Sequence, residues 1–564
     1  MARSDVILVW LSILLGLATS QDGSPVVPTA SGKVRGTVQY TNDLPDKPVY
    51  TFLGIPYAAP PVGDLRFRAP EPVTPWEGVI DATKPGPFCP QPLDLQHTIP
   101  FRLLQTTTSE DCLTLNVETP TTNADGGLPV LVWIHGGSLE TGGGYLLPFA
   151  PLAAHQDVVV VSFNYRLGLL GFLSTRDENA PGNFGFLDQV LAIRWVKANI
   201  QNFGGDPDRI TVFGESAGGY SVSYHVVSPL SRGLFRRAIS QSGVFGTNPV
   251  QLNPLRTTKV QAEELGCDGE DTSVLVNCLR DRPVEQLYAG YDLFQNSLFG
   301  SNLKPFGPVV DGYFLTSTPE YLLKKRQVSP VDYLMGVNDH EYGFILPRAS
   351  HLPNFGKGMT HELCTALLKL GLPEYVDYKG SGQAILAAIE EKYRDQANPD
   401  DIMAIQYQYS QLMGDLMFVA PTVRAADGHT AAGGKVYLYE NHYVPSFLRV
   451  ARPGWVGCDH TDDWWMVVGA PFTDIQLTSG DNITFTAADK QMSLKMMEMW
   501  ANFARTGNPT DQTSPEWPVY TTDHPAYMNL DLAPSVDVGL KSDRVTFWNK
   551  VIPELARLGD RDEL

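Results

Sequence analysis

Short runs of β-branched and other apolar residues alternate along this chain with longer stretches of helical periodicity. Five of the runs are Val130–Ile134, Val158–Val161, Ile210–Phe213, Tyr333–Met335 and Val436–Tyr439. Runs that are apolar on both faces are typical of buried parallel strands. Between the second and third runs, apolar residues from Leu187 to Ala198 recur at the three-and-four spacing of a helix face. The pattern predicts an α/β fold, in which helices flank a central, mostly parallel, twisted sheet.

The chain contains no repeat, no low-complexity segment and no linker that would divide it, so we expect a single large domain over residues 21–560. Its 42 Lys and Arg residues stand against 62 Asp and Glu residues, which gives a formal charge of −20. Such a charge repels phosphate groups and anionic membranes, and we therefore expect no nucleic-acid partner. No run of eighteen apolar residues follows residue 20, so no transmembrane segment is predicted.

Both ends of the chain carry targeting features. Residues 1–20 combine a short segment containing Arg3, an apolar stretch from Val6 to Leu17 and the small residues that end at Ser20, which predicts a signal peptide. The last four residues, 561–564, read Arg-Asp-Glu-Leu and resemble the tetrapeptides that return proteins to the endoplasmic reticulum. We expect residence in the lumen of the endoplasmic reticulum, with a retrieval receptor as partner. Free secretion is the alternative.

The sequence GESAG, residues 214–218, directly follows one of the predicted strands. The pattern Gly-x-Ser-x-Gly is weak evidence alone, but a sharp strand-to-helix turn needs small residues around its central position. Gly214, Ala217 and Gly218 meet that need, and the turn would hold the serine away from the sheet. These features predict that Ser216 is a nucleophile and not an ordinary turn residue.

A serine nucleophile needs a base, a carboxylate that orients the base, and donors for the developing oxyanion. Upstream of Ser216, His135-Gly136-Gly137-Ser138 follows a predicted strand, and glycines there let backbone amides turn towards a substrate oxygen. In α/β enzymes with this turn, the acid and then the histidine follow the serine along the chain. The predicted chemistry requires neither a cofactor nor a metal ion.

Six histidines follow Ser216 with room for an acid between: His351, His361, His429, His442, His460 and His524. His460 is favoured, because it lies in the polar stretch GCDHTDDWW after a strand and its long loop. His225, on the helix just after the serine, is interpreted as a packing residue. For the acid, Asp339 and Glu341 both lie in the loop after the Tyr333–Met335 strand, and periodicity does not choose between them.

Several longer stretches are shared with one known family. FGGDPDRITVFGESAG at 203–218 and SEDCLTLNV at 109–117 match its two signatures, and GIPYAAPPVGDLRF, NYRLGLLGF, FGPVVDG and WANFARTGNP extend the match over nearly all of the mature chain. The chain thus resembles the type B carboxylesterase family, which implies an α/β-hydrolase fold. The resemblance implies Ser216 as nucleophile, His460 as general base and acid, and Glu341 as orienting carboxylate.

The resemblance implies further residue roles. The oxyanion donors would be the amides of Gly137, Ser138 and Ala217, although the family usually has three consecutive glycines where this chain has Gly136, Gly137 and Ser138. Disulfides would join Cys89 to Cys112 and Cys267 to Cys278, and Arg66 would pair with Glu110. Cys364 and Cys458 would then be free, buried thiols. Separately, the sequon at Asn482 predicts glycosylation on a surface loop.

These features predict hydrolysis of small-molecule carboxylic esters through an acyl-enzyme, with neutral or weakly polar substrates favoured and activity falling below about pH 6.5 as His460 is protonated. A lipase or acyl-thioester hydrolase is the alternative, because the same triad cleaves those bonds. A cholinesterase is less favoured, since no tryptophan lies between Cys89 and Cys112 to bind a quaternary ammonium. A catalytically silent adhesion relative is least favoured, because the triad residues are present.

Overall fold

The computed structural model describes residues 18–19, 23–91, 107–288, 306–343, 357–376, 381–449, 452–476 and 482–559. Most of the predicted signal peptide, the C-terminal tetrapeptide 561–564 and the candidate His351 lie outside these ranges.

The described residues form fifteen strands, which pair into two sheets. In chain order they are β1 (Ala18–Thr19), β2 (Pro25–Thr29), β3 (Gly32–Arg35), β4 (Thr37–Thr41), β5 (Leu44–Pro56), β6 (Val79–Asp81), β7 (Thr114–Thr119), β8 (Leu128–Ile134), β9 (Val159–Phe163), β10 (Gly205–Glu215), β11 (Arg237–Gln241), β12 (Asp332–Asn338), β13 (Val436–Asn441), β14 (Ala526–Leu530) and β15 (Ser535–Val538).

The larger sheet has eleven strands in the order β15-β14-β13-β12-β11-β10-β8-β9-β7-β5-β4. Every neighbouring pair from β14 to β9 is parallel, whereas the pairs at the two ends are antiparallel. The five runs predicted as strands are β8, β9, β10, β12 and β13, and all lie in the parallel centre. The predicted α/β fold with a mostly parallel sheet is confirmed. Strands β1, β2, β3 and β6 form the small second sheet.

Successive residues of the central strands pack into two separate apolar cores, one on each face of the sheet. On β8, Val130 and Val132 belong to one core, whereas Leu131 and Trp133 belong to the other. Strand side chains alternate between faces, so a strand apolar at every position is covered on both sides. This double burial explains why the central strands read as continuous apolar runs.

The α-helices of the described residues include α1 (Ala150–Gln156), α2 (Gly168–Phe172), α3 (Phe184–Asn199), α4 (Ala217–Val227), α5 (Pro254–Glu264), α6 (Thr272–Arg280), α7 (Pro319–Lys324), α8 (His361–Gly371), α9 (Gly382–Tyr393), α10 (Ile402–Gly414), α11 (Ala420–Ala431), α12 (Ser446–Arg449), α13 (Asp462–Val467), α14 (Ala487–Thr506), α15 (Ser542–Thr546) and α16 (Ile552–Gly559). Helices α3 and α4 supply residues to the first core, and α1 and α14 to the second. None of these helices is both long and apolar enough to span a bilayer.

The helix predicted from Leu187 to Ala198 is α3, but it is not buried on one face alone. Its polar residues Asp188 and Gln189 are also fully buried. The carboxylate of Asp188 binds the Arg166 guanidinium, with an Nη2–Oδ1 distance of 2.7 Å. A buried charge needs a partner of opposite sign, which Arg166 provides. The apolar spacing therefore located the helix but underestimated how completely it is enclosed.

Both disulfides implied by the resemblance are present, Cys89–Cys112 and Cys267–Cys278. Arg66 pairs with Glu110 through two bonds, at 2.7 Å from Nε and 2.6 Å from Nη2. The other two cysteines were expected to be free and buried, and that expectation holds fully for only one of them.

Cys458 is free and buried, but Cys364 is only partly buried. Cys364 lies on α8, whose buried residues are Leu367 and Leu368, so the thiol occupies the side of a surface helix. Asn482 is exposed, as expected for the sequon.

Candidate active site

Five loops that could carry chemistry leave the sheet at the same edge. Strands β8, β10, β11, β12 and β13 are neighbours and run parallel, so their carboxyl ends lie side by side. The segment 136–138 follows β8, Ser216 follows β10, Ser242 follows β11, and Glu341 follows β12. His460 lies in the long connection after β13. Residues far apart in sequence are therefore brought to one end of the sheet.

The turn at Ser216 has the strained backbone expected of a nucleophile elbow. Ser216 has φ 55° and ψ −119° and directly precedes helix α4. This conformation is unfavourable for a residue with a side chain and persists only where surrounding structure enforces it. A β-carbon on Gly218 would overlap the carbonyl oxygen of Ile134, and one on Gly214 would overlap the backbone of Gly218. The steric need for glycine on both sides of Ser216 is confirmed.

His460 and Glu341 are in direct contact. The Nδ1 atom of His460 lies 2.6 Å from Oε2 of Glu341, and both side chains are buried. The other carboxylate oxygen, Oε1, accepts hydrogen bonds of 2.6 Å from the Asn338 amide and the Ser242 hydroxyl. A carboxylate held in this way accepts a hydrogen bond from the Nδ1–H group of the imidazole, which leaves Nε2 as the basic nitrogen.

The basic nitrogen of His460 faces the strand that ends just before Ser216. Its Nε2 lies 3.3 Å from Oε1 of Glu215, the residue immediately before Ser216. A β-carbon built on Gly136, in the loop after β8, would lie 3.2 Å from Cβ of Ser216. The geometry therefore brings the imidazole, the Ser216 turn and the glycine loop into one cluster.

The loop that carries His460 is fixed by its own charged residues. Asp459 Oδ1 accepts hydrogen bonds of 2.9 Å from the amides of His460 and Gly343. Arg452 holds Asp462 with two bonds of 2.7 and 2.8 Å. Both bonds come from the Nη2 atom of Arg452, which contacts the two carboxylate oxygens of Asp462 at once. The histidine is thereby held in place by contacts to the acid loop and by a buried ion pair.

Charges around the imidazole favour its protonated form. Burial by itself lowers the pKa of His460, but the nearby carboxylates of Glu215 and Glu341 outweigh burial and raise this pKa above its usual value. Burial also raises the pKa of Glu215, and the neighbouring Asp463 and Glu341 charges act in the same direction against the opposing effect of His460. Glu215 therefore binds a proton more readily than an exposed glutamate.

A third buried carboxylate, that of Asp463, lies near those of Glu215 and Glu341. Asp463 Oδ2 accepts hydrogen bonds from Tyr439 at 2.7 Å and from Gln241 at 3.0 Å, and its Oδ1 lies 3.3 Å from the amide nitrogen of Asn338. Burial raises its pKa. Sequence reasoning did not assign roles to Glu215, Ser242 or Asp463. Glu215 could have been noticed, since it is a carboxylate inside the GESAG motif itself.

The loop after β8 has an unusual backbone. Gly137, Ser138 and Leu139 have φ values of 107°, 60° and 63°. Such values favour glycine, yet two of the three positions carry side chains. Within the described ranges, the N–H groups of Gly137 and Ser138 donate no hydrogen bond. The amide of Ala217 belongs to the first turn of α4, where helix amides have no intrahelical acceptor. These three amides are therefore available to a ligand.

The other candidate residues lie in different environments. Asp339 does not reach His460, because its carboxylate lies 3.3 Å from the Lys541 ammonium instead. The remaining histidines bind elsewhere: His225 to Gln189 and Ser231, His361 to the Pro399 carbonyl, His429 to the Val331 carbonyl, and His442 to Asn529 and Glu440, while His524 is exposed. The interpretation of His225 as a packing residue is consistent with its full burial.

A buried histidine–carboxylate pair beside a strained serine elbow, at the carboxyl edge of a parallel sheet, defines a serine hydrolase of the α/β-hydrolase class. Comparison with known proteins agrees. The model of the carboxylesterase family matches residues 23–548. The chain belongs to the carboxylesterase family, and it is a carboxylic ester hydrolase.

Characterised relatives match along almost the whole chain. The pyrethroid hydrolase Ces2e of Rattus norvegicus is 40% identical, over 97% of this chain and 94% of its own. The acylcarnitine hydrolase of Mus musculus is 39% identical, over 95% of this chain and 92% of its own. The cocaine esterase of Homo sapiens is 39% identical, over 98% of this chain and 96% of its own.

Proposed function

We propose that Ser216 is the nucleophile of this ester hydrolase, that His460 is its general base and acid, and that Glu341 orients the imidazole. The hydroxyl of Ser216 attacks the ester carbonyl while Nε2 of His460 accepts the hydroxyl proton. The proton then passes from His460 to the leaving alcohol, and the acyl group stays on Ser216. A water molecule, deprotonated by the same imidazole, releases the acid and restores the serine.

The observation that carries this proposal is the 2.6 Å contact between His460 Nδ1 and Glu341 Oε2. It fixes the tautomer in which Nε2 can accept a proton, and Nε2 faces the residue before Ser216. Glu341 also stabilises the imidazolium that forms during attack.

The developing oxyanion would be bound by the amides of Gly137, Ser138 and Ala217. Two of these amides follow β8 and the third begins α4 directly after Ser216, at the end of the neighbouring strand β10. Because their N–H groups are already oriented, they stabilise the transition state without reorganisation, and removal of one such donor costs about 3 kcal/mol.

The substrates we propose are carboxylic esters of small molecules. The names of three relatives refer to pyrethroids, acylcarnitines and cocaine, which supports an ester substrate without selecting one. Neutral esters are favoured over choline esters, because the segment from Cys89 to Cys112 contains no tryptophan for cation–π binding. Long-chain triglycerides and acyl thioesters are the alternative substrates.

The test compares the wild-type chain with Ser216→Ala on a water-soluble short-chain nitrophenyl ester. We expect turnover to fall by about a million-fold, because a triad acts as a unit. Undiminished turnover in Ser216→Ala rules out the proposed nucleophile. Rates on emulsified triglyceride, on an acyl thioester, and on a choline ester against its uncharged carbon isostere then identify the substrate class.

We further propose that the protein resides in the lumen of the endoplasmic reticulum. The support is the signal-like segment 1–20 and the C-terminal tetrapeptide 561–564, together with two disulfides that suit an oxidising compartment. Deletion of the last four residues is expected to release the protein into the medium, and continued retention would argue against this location. A mass decrease on treatment with a glycosidase, absent in Asn482→Gln, would establish glycosylation at Asn482.

A further inference from the structure

An acidic cluster beside the turn that carries Glu341 surrounds a largely buried lysine. Oxygen and nitrogen atoms of Asp339, Glu440 and His442 lie within 4.8 Å of one another, a spacing that could hold a metal ion. The ammonium of Lys541 occupies this position, 2.9 Å from Glu440 Oε1 and 3.3 Å from Asp339 Oδ1. The cluster is therefore an ion-pair network in which a lysine takes the place of the cation.

The charges in this cluster stabilise one another. Burial alone raises the pKa of Glu440, but its hydrogen bond to His442 and the Lys541 charge outweigh burial and lower this pKa. Burial alone lowers the pKa of Lys541, but the charges of Glu440 and Asp339 reverse that effect. Glu440 and Lys541 thus remain charged at neutral pH although their side chains are only 5% and 10% exposed. Removing either partner would leave an uncompensated buried charge.

Lys541 makes one further hydrogen bond, to the backbone of the turn that carries Glu341. Its Nζ donates a hydrogen bond of 2.7 Å to the backbone carbonyl of Asp339. The amide N–H of the same peptide unit, on His340, donates a bond of 2.7 Å to the carbonyl of Cys458. One peptide plane is therefore held at its oxygen by Lys541 and at its nitrogen by the histidine loop.

This peptide plane joins the loop that carries Glu341 to the loop that carries His460. It ends one residue before Glu341, and the Cys458 carbonyl lies two residues before His460. On the other side of the turn, the Asp339 amide donates to the Asn441 carbonyl at 3.0 Å and the Asn338 amide donates to the Glu341 carboxylate. If Lys541 were lost, the Asp339 carbonyl would lack this donor and the peptide could rotate, which would alter its bond to Cys458.

We propose that Lys541 is a positioning residue for the catalytic pair, acting through the Asp339–His340 peptide to set the separation and orientation of Glu341 and His460. It lies just before helix α15 in the C-terminal region, and it touches neither substrate nor reacting atoms. This inference rests on the roles proposed above for Glu341 and His460. The C-terminal region of the chain therefore has a part in the chemistry as well as in stability.

The test is Lys541→Met in the full chain, measured at a temperature where near-ultraviolet circular dichroism shows the variant to be folded. We expect kcat to fall by about 10- to 100-fold, because displacements of about 1 Å at a catalytic pair have effects of that size. KM should change less than about twofold, since binding surfaces are untouched. The rate at which a fluorophosphonate modifies Ser216 should fall by the same factor as kcat.

A spectroscopic readout separates this inference from the proposed reaction. A proton shared between His460 Nδ1 and Glu341 at 2.6 Å should give a far-downfield proton resonance in the wild type. We expect the resonance to shift upfield or broaden in Lys541→Met, whatever the substrate. Persistence of turnover in Ser216→Ala would refute the proposed reaction, while the resonance would still report whether Lys541 fixes the pair.

The matched control is Arg544→Met. Arg544 lies on the same C-terminal segment and binds Gln411 at 2.8 Å and Asp415 at 3.1 Å, and within the described residues it makes no hydrogen bond to the 338–341 turn. We expect it to lower thermal stability while leaving kcat and the downfield resonance unchanged. Lys541→Arg keeps a long cationic donor at this position, so its kcat should be within about threefold of the wild-type value.

Two results would overturn the inference: wild-type kcat and an unshifted resonance in folded Lys541→Met, or equal kcat losses in Lys541→Met and Arg544→Met. If Lys541→Met does not fold, Lys541→Gln takes its place, since its amide keeps a donor on a side chain one atom shorter. For Lys541→Gln we expect a kcat loss of about 3- to 10-fold, which is smaller than the loss expected for Lys541→Met. Wild-type kcat in Lys541→Gln, together with an unshifted resonance, would again refute the positioning role.

Discussion

The carboxylate of Glu215 should control the pH range in which this enzyme works. Its Oε1 lies 3.3 Å from Nε2 of His460. In the proposed reaction this nitrogen must be unprotonated to accept the Ser216 proton. When Glu215 is ionised and His460 is protonated, the two form an inactive ion pair. Glu215→Gln removes the negative charge and keeps the size of the side chain, so the pKa of His460 should fall.

The size of the effect follows from the separation. Two unit charges 3.3 Å apart attract by about 5 kcal/mol at an effective dielectric constant of about 20 and by about 1 kcal/mol in water. One pKa unit corresponds to about 1.4 kcal/mol. Because burial raises the pKa of Glu215 to about 8, this carboxyl carries a proton for part of the range, which reduces the effect. We expect the pKa of His460 to be about 1–3 units lower in Glu215→Gln than in the wild type.

The assay is the pH dependence of kcat/KM on a soluble nitrophenyl ester, which reports groups of the free enzyme. The acidic limb of this profile follows the pKa of His460, so a raised pKa moves the limb to higher pH. The limb of Glu215→Gln should therefore lie about 1–3 pH units below that of the wild type. Glu118→Gln is the control, since Glu118 is also buried with a raised pKa but binds the Phe149 amide. An unshifted limb in Glu215→Gln, or an equal shift in Glu118→Gln, would refute this reasoning.

Three further variants test separate parts of the structure. Ser138→Gly relieves the strain of a positive φ of 60°, worth about 1 kcal/mol, and costs about the same in unfolded-chain entropy. We therefore expect kcat to stay equal or to rise a few-fold. A loss above tenfold would mean that the Ser138 hydroxyl takes part in the reaction. Glu341→Gln should lower kcat by about 10⁴-fold with little change in KM, as expected when the acid no longer fixes the tautomer of His460; a loss below tenfold would contradict the assignment. Replacing Cys89 and Cys112 together by serine opens a loop with a sequence separation of 23 and should lower the free energy of unfolding by about 3 kcal/mol, and an unchanged urea midpoint would count against it.

The sequence located the central strands because their environment leaves a local signature. Strands β8, β9, β10, β12 and β13 are covered on both faces and therefore read as continuous apolar runs. Strand β11 was missed, although it lies in the middle of the same sheet. Its polar residues are satisfied by distant partners: Arg237 donates to the Ala504 carbonyl at 2.9 Å and Ser240 to the Gly219 carbonyl at 2.6 Å. Partners of that kind leave no trace in the strand itself.

The nucleophile turn was predictable for a steric reason, whereas the acid was not. The glycines around Ser216 are required by local backbone contacts and can be recognised in five residues. The choice between Asp339 and Glu341 depends on which carboxylate faces His460 and which faces Lys541, and only the folded chain decides that. The resemblance to the family pattern favoured Glu341, and the structure brings that residue to the histidine.

The expected pH dependence changes for a similar reason. An isolated histidine suggests loss of activity below about pH 6.5. The structure adds the carboxylates of Glu215 and Glu341 beside His460, and these raise its pKa despite burial. The acidic limb of the activity profile is therefore expected above pH 6.5 in the wild type. Contacts between residues 215, 341 and 460 are long-range, so the sequence could not supply this correction.

The most direct test of the central claim is covalent labelling by a fluorophosphonate, followed by mass spectrometry of the intact chain and of its peptides. The predicted result is one equivalent of label on the peptide containing Ser216, no label in Ser216→Ala, and much slower labelling in His460→Ala. Label on another residue, or undiminished labelling of Ser216→Ala, would contradict the account.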